Sequence, residues 1–272
     1  MTKRHRVIVI TGASDGIGAE MARQLAHKYK GDLGIVLAAR NEEALHEVAS
    51  DCKLFGSVCL VVKTDVGSEP DCRRLIRATI EAFGSIDCLI NNAGKSAQAL
   101  FSDVEDLGWY QELMRINFWG SVWCTHAALP YLKETRGNIV AVSSLAGLIG
   151  VPGRTAYSAS KFAMNGFFES LRSEISDTGV HITLAYPGVV ATRIRYHGYN
   201  AAGDAAGQSG LKEDNAMSVT ECARLIIDGM ESNKREVVMT SKGKLARLLK
   251  LLAPSLVEKM AMSALKKEVR PQ

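Results

Sequence analysis

No stretch of this chain approaches the ~20 consecutive apolar residues that a membrane-spanning helix needs. The apolar run near the start, Val7-Ile8-Val9-Ile10, is too short to be the core of a signal peptide. No two cysteines stand in a C-x-x-C spacing. Cys52, Cys59, Cys72, Cys88, Cys124 and Cys222 are scattered, which suits reduced core thiols in a cytoplasmic compartment better than a disulfide framework or a zinc site. An excess of one charge is missing too. With 33 basic against 29 acidic residues the formal net charge is +4, and no basic run is interleaved with aromatics, so nucleic acid is not expected as a partner. Linkers, repeats and low-complexity segments are absent. One domain over residues 1–272 is therefore expected, long enough for a substantial core.

What is present is alternation. Short β-branched or apolar runs lie at Val7–Ile10, Leu33–Ala38, Val58–Val62, Ile86–Ile90, Ile139–Val142, Val180–Ala185 and Val237–Met239, with helical periodicity between them. Runs of this kind read as buried parallel strands. The pattern predicts an α/β fold of the Rossmann type: one doubly wound parallel sheet of about seven strands, with helices on both faces. Asn41 and Ser68 stand where they could cap the second and third helices, and Pro70 lies near the first turn of the latter. A long helix is expected from about Leu107 to Leu132.

Two stretches carry chemistry. The first run is followed at once by Thr11-Gly12-Ala13-Ser14-Asp15-Gly16-Ile17-Gly18 and then by a helical pattern. Glycines let backbone approach a ligand closely, and a helix N-terminus offers amides and a partial positive charge to a phosphate. The second stretch runs from Ser143 to Lys161. Ser143 and Ser144 follow the fifth strand, at the sheet edge where ligands bind in open α/β folds. Tyr157 and Lys161, four apart, share a helix face. A phenol has a pKa of roughly 10 and is a poor base at neutral pH. A nearby cation favours its ionised form and poises it for proton transfer. A bare Y-x-x-x-K is more often a surface pair; the strand and serines ahead of it turn the argument.

Together these motifs resemble the short-chain dehydrogenase/reductase family over about residues 6 to 240. Gly12, Gly16 and Gly18 are similar to its T-G-x-x-x-G-x-G turn, and Asn91-Asn92-Ala93-Gly94 to its N-N-A-G. Tyr157-Ser158-Ala159-Ser160-Lys161 is similar to Y-x-A-S-K. Ser144 lies thirteen residues before Tyr157, and Asn117 lies at a fitting distance upstream. The resemblance implies reversible hydride transfer between a nicotinamide cofactor and a carbonyl or secondary alcohol. It implies catalytic roles for Asn117, Ser144, Tyr157 and Lys161, with Tyr157 moving the proton, Ser144 bonding the reacting oxygen, and Lys161 also holding the nicotinamide ribose. Asn117 orders a water in that scheme.

Cofactor contacts are implied for Gly12, Ser14, Asp15, Gly16, Ile17 and Gly18 in the turn, and for Arg40, Asp65 and Val66 after the second and third strands. Asn92, Ala93, Gly94, Tyr157, Lys161, Pro187, Gly188 and Thr192 complete the set, and no metal is called for. Ala39 stands where NAD-type members carry an acid and Arg40 follows, so NADP(H) is expected over NAD(H). Asp15 departs from that type, since many NADP-type members are basic there. A different class of function, a nicotinamide-binding redox sensor without turnover, needs only the glycine turn; the Tyr157–Lys161 pair argues against it.

The alanine- and glycine-rich stretch 193–215 is expected to be a mobile substrate loop. A helical extension, 241–272, has Leu245, Leu248, Leu249 and Leu252 on one face and Lys242, Lys244, Arg247 and Lys250 adding positive charge. Such a helix can lie on a membrane surface. The expectation taken is that it packs on the domain or on a second subunit of a homodimer or homotetramer. By resemblance, tails of this kind accompany lipophilic substrates.

Overall fold

The computed structural model describes residues 5–209 and 216–268. Residues 1–4, positions 210–215 of the expected loop and 269–272 of the extension lie outside the described residues. Seven parallel strands form one sheet. They are β1 (Arg6–Thr11), β2 (Leu33–Ala39), β3 (Val58–Lys63), β4 (Cys88–Asn91), β5 (Asn138–Val142), β6 (His181–Tyr186) and β7 (Glu236–Val238). Their order across the sheet is β3-β2-β1-β4-β5-β6-β7. Helices α1 (Gly16–Tyr29), α2 (Glu42–Lys53) and α3 (Glu69–Phe83) connect the first four strands; α4 (Gly108–Met114) and α5 (Gly120–Thr135) lead to β5. α6 (Thr155–Glu174) and α7 (Val219–Glu231) follow β5 and β6, and α8 (Ser241–Leu252) and α9 (Pro254–Glu268) follow β7.

Strand residues alternate between two cores, as a period of two requires. Ile8 and Ile10 of β1 join Ile35, Leu37 and Ile90 beneath α1, α2 and α7. Val9, between them, joins Val36, Leu89 and Ile139 beneath α3, α5 and α6. Both faces are thus covered, which is why the runs read as continuously apolar. Asn41 caps α2, its side chain accepting from Ala44 N at 3.2 Å, and Ser68 caps α3, accepting from Asp71 N at 3.4 Å with Pro70 in the first turn.

Strand order places the site. The chain builds outward from β1 to β3, then returns to the far side of β1 with β4. The carboxyl ends of β1 and β4 therefore lie side by side with their loops diverging, which opens a crevice. Thr11 and Asn92 lock those ends together. Thr11 Oγ1 donates to Ile90 O at 3.2 Å and accepts from Asn92 N and Ala93 N at 3.0 and 3.1 Å. Asn92 Nδ2 donates back to Thr11 O at 3.0 Å.

Two expectations change. The long helix from Leu107 to Leu132 is interrupted. α4 ends at Met114, a turn of π-helix covers Arg115–Trp119, and α5 then runs to Thr135. The wide turn shifts the register by about a residue and re-aims side chains within it, among them Asn117. The C-terminal extension does not pack its leucines on the domain. Leu245, Leu248 and Leu252 are exposed, and Leu249 is half-buried. α8 instead approaches through Gly243, where a Cβ would stand 2.5 Å from Leu145 Cδ2, and Lys250 Nζ bonds Leu148 O at 2.9 Å. Close contact at a glycine turns the leucine stripe outward. Among the described residues no helix is long and apolar enough to cross a membrane.

Candidate active site

A crevice of about 840 Å³ runs along the carboxyl edge of the sheet. At one end lies the glycine turn. Gly12 takes φ +66° and Gly16 φ +55°, and a Cβ on Gly12 would stand 2.8 Å from Ala93 Cα, so only glycine fits between β1 and the N-N-A-G segment. Gly18 does different work. It does not line the crevice; a Cβ there would lie 2.1 Å from Gly12 O, so it lets α1 close against its own turn. Ser14, Asp15, Gly16 and Ile17 line the crevice at the N-terminus of α1. Asp15 caps that helix, accepting from Gly16 N at 2.8 Å, and pairs with Arg193 Nε at 3.2 Å.

Arg40, Asp65 and Val66 line the wall at the ends of β2 and β3, and Gly67 N holds the Asp65 carboxylate at 2.9 Å. Asn92, Ala93, Gly94, Pro187, Gly188 and Thr192 complete the lining that the sequence assigned. Six cationic side chains (Arg40, Lys95, Arg154, Lys161, Arg193, Arg195) face the crevice against two carboxylates, Asp15 and Asp65. That balance and the close backbone turn fit an anionic dinucleotide.

At the other end stand the residues that the sequence marks as candidates for catalysis. Ser144 lies two residues beyond β5 and caps a short 3-10 turn, its Oγ accepting from Ala146 N at 3.2 Å. That bond engages the oxygen's lone pair and not its proton, so the hydroxyl keeps a donor for the crevice. Ser143 Oγ is buried and makes no hydrogen bond among the described residues. Tyr157 and Lys161 rise from the first turns of α6, with Lys161 Nζ 5.9 Å from the Tyr157 ring centroid. Lys161 is 3% exposed, and its ammonium donates to Val142 O at 2.9 Å. Burial pulls its pKa below the ordinary lysine value, and the Tyr157 charge opposes that pull.

Asn117 stands one layer behind the lining. Its Oδ1 accepts from Lys95 N at 2.8 Å; its Nδ2 donates to Lys95 O and Ser160 Oγ, both at 3.0 Å. Ser160 Oγ in turn donates to Tyr157 O at 2.8 Å. The π turn thus joins the N-N-A-G segment to α6 through one side chain.

The described part of the expected loop, 193–209, lies over the crevice and is tied down. Arg193 bonds Asp15, Arg195 Nη2 bonds Val190 O at 3.0 Å, and Tyr199 N bonds Ser96 O at 3.0 Å. Lys95 Nζ sits 3.3 Å from the Tyr199 ring centroid. Sequence reasoning missed Lys95, Arg154, Arg193 and Arg195. Arg154 could have been found, since it precedes Tyr157 by three residues in the same helical turn. Lys95 and Arg193 reach the site only through the fold.

Comparison with known proteins agrees with this geometry. Residues 6–200 match the profile of the short chain dehydrogenase family. The chain is 36% identical over 260 residues to 11-beta-hydroxysteroid dehydrogenase 1A of Arabidopsis thaliana, covering 93% of this chain and 73% of that one. It is 35% identical over 276 residues to a dehydrogenase/reductase SDR family protein 7-like of Dictyostelium discoideum, covering 97% and 84%. In fold it is similar to a Burkholderia phymatum short chain dehydrogenase/reductase solved in complex with NAD, with TM-score 0.80, 23% identity and 94% and 96% of the two chains covered. A Thermococcus sibiricus alcohol dehydrogenase solved with 5-hydroxy-NADP aligns with TM-score 0.70 and 23% identity over 81% and 88%. The chain belongs to the short-chain dehydrogenase family. It is an oxidoreductase that moves a hydride between a nicotinamide dinucleotide and a carbonyl or alcohol.

The buried Lys161 makes stability depend on pH. Its folded pKa lies below the ordinary 10.5, so between those two values the unfolded chain binds more protons and stability rises with pH. The comparison that isolates this is Tyr157→Phe against Tyr157→Phe/Lys161→Met, where the phenol no longer titrates in the same window. The lysine-bearing chain gains unfolding free energy relative to the other as pH climbs from neutrality toward the ordinary lysine value. A flat difference across that range contradicts the burial penalty.

Proposed function

We propose that the chain uses NADP(H) and acts on a lipophilic carbonyl or secondary alcohol, with Tyr157 as the proton-transfer group. The convergence of Ser144, Tyr157 and Lys161 at the carboxyl edge of β5 carries this reading. The bound nicotinamide supplies the hydride in reduction and accepts it in oxidation. Tyr157 hands its proton to the carbonyl oxygen, or takes it back in the other direction. Ser144 donates a hydrogen bond to that oxygen, where negative charge develops. The buried Lys161 cation stabilises that charge. Asn117 holds Lys95 and Ser160, and so the two sides of the crevice, in register.

Preference for NADP(H) is supported by Arg40, which lines the crevice at the end of β2, where Ala39 stands in place of an acid. Asp15 also weighs less than its sequence position suggests, because Arg193 pairs with it. The lipophilic class is supported by Leu145, Ile149, Val151, Pro152 and Val190 in the lining, and by a relative named as an 11-beta-hydroxysteroid dehydrogenase. A hydroxysteroid, or a ketone of like size and polarity, is the substrate we assign. Six unpaired cysteines suit a reducing, cytoplasmic compartment.

We further place the chain in a homodimer or homotetramer, with a second copy covering the outward leucines of α8. Leu248, Leu251 and Leu252 are 55%, 79% and 75% exposed, and neighbouring exposed leucines of this kind suit an interaction surface.

Three outcomes follow. Tyr157→Phe lowers kcat by well over ~10²-fold with cofactor still bound; near wild-type turnover refutes the proton role. Replacing Arg40 by a neutral residue weakens NADPH roughly 10- to 150-fold and leaves NADH nearly unchanged, the loss of one charge-assisted contact. Equal losses for both cofactors mean that Arg40 acts structurally. Truncation before Ser241 reduces oligomer size or thermal stability; salt-sensitive co-sedimentation with anionic vesicles, lost on truncation while oligomer size stays the same, overturns the oligomer assignment.

A further inference from the structure

We propose that Arg154 is a positioning residue for the proton-transfer tyrosine: it sets a cation against the face of the Tyr157 ring and ties that ring to the segment following β4. The proposal rests on the reading of Tyr157 given above.

Arg154 lies immediately ahead of α6 and three residues before Tyr157, so a single helical turn puts both on one side. Its guanidinium carbon stands 4.4 Å from the ring centroid, well inside the range of a cation–π contact. Two further bonds orient the guanidinium from the opposite wall. Nη2 donates to Ser96 Oγ at 2.5 Å, and Nε donates to Ala97 O at 3.3 Å. Ser96 and Ala97 are both 3% exposed and lie two and three residues beyond the N-N-A-G segment. The backbone repeats the link, with Ala99 N donating to Gly153 O at 2.8 Å. The guanidinium is therefore clamped between the end of β4 and the start of α6, with the tyrosine ring as its third partner.

The chemistry of a phenol gives this contact a preference. When the phenol loses its proton, part of the negative charge spreads into the ring. A cation over the ring face then attracts the ionised form more strongly than the neutral one. Tyr157 has two such cations, Lys161 along its own helix and Arg154 over its face. They differ in kind. Lys161 is buried, and burial favours its neutral form. A guanidinium keeps its proton at any working pH and holds its planar orientation through several donors at once. Arg154 supplies the permanent charge, and Lys161 supplies the donor that reaches into the crevice. The Y-x-x-x-K motif extends only from the tyrosine onward, so it does not cover this position.

The test is a double-mutant cycle read in kcat, cofactor Kd and thermal stability. Arg154→Met lowers kcat about tenfold, between the exposed and desolvated ranges of a cation–π contact, and changes cofactor Kd by a smaller factor. Arg154→Lys, which keeps a cation, retains most of the activity. In the Tyr157→Phe background, where no ring charge develops, Arg154→Met causes no further loss. Ser96→Ala loosens the guanidinium without removing it and lowers kcat by a smaller factor, which keeps the idea open to test where Arg154→Met fails to fold. Equal fold-losses in both backgrounds, a lysine variant no better than methionine, or unchanged kcat in Arg154→Met and Ser96→Ala overturns the proposal. Wild-type turnover in Tyr157→Phe alone defeats instead the reading on which it rests.

Discussion

The crossover between β1 and β4 is the constraint on which the rest depends. Neighbouring strands whose helices leave toward opposite faces cannot close the gap between their loops. Any ligand site must form there, whatever the side chains. Thr11 and Asn92 decide how wide the gap is, because their reciprocal bonds hold the two strand ends at hydrogen-bond distance. Gly12 decides how close the backbones come on its floor. With the gap set, the glycine turn on one side and the serines after β5 on the other are separated by two strand spacings, about 10 Å. That is a span a dinucleotide can bridge.

Electrostatics then divide the crevice. The buried ammonium of Lys161 has one backbone acceptor, Val142 O, and a tyrosine for neighbours. A charge placed so deep is unfavourable unless something negative shares the site. A reacting oxygen that gains charge is such a partner, and it does so only during reaction. On the reaction proposed above, the arrangement favours the charge-developed state over the resting one, which is the condition for accelerating a step and not merely binding its substrate.

Much of this was legible from the residues. The strand–turn–helix opening, the strand-end serines and the four-residue spacing of Tyr157 and Lys161 are local patterns, and local patterns survive folding. Strand order was legible to the extent that alternation requires parallel crossovers. What escaped lies in longer relations. Asn117 was identified by position, but nothing local shows the π turn that sets it behind the lining. The outward leucines of α8 follow from a contact between Gly243 and Leu145, nearly a hundred positions apart, which no periodicity reveals. Arg193 meets Asp15 across 178 residues.

That last pair adds what single-position reasoning about the turn could not supply. Taken alone, Asp15 places a carboxylate at a helix N-terminus, where it is favoured as a cap and where it competes with a phosphate for the same amides. In the folded chain it accepts from Gly16 N with one oxygen and faces Arg193 Nε with the other. Both side chains are more than half exposed, so the ion pair adds little to stability. Its effect is positional. It holds the first residue after Thr192 at the mouth of the crevice, so the charge a phosphate meets there is that of the pair. The segment after β6 is thereby drawn over the glycine turn, and two walls of the crevice are anchored to each other.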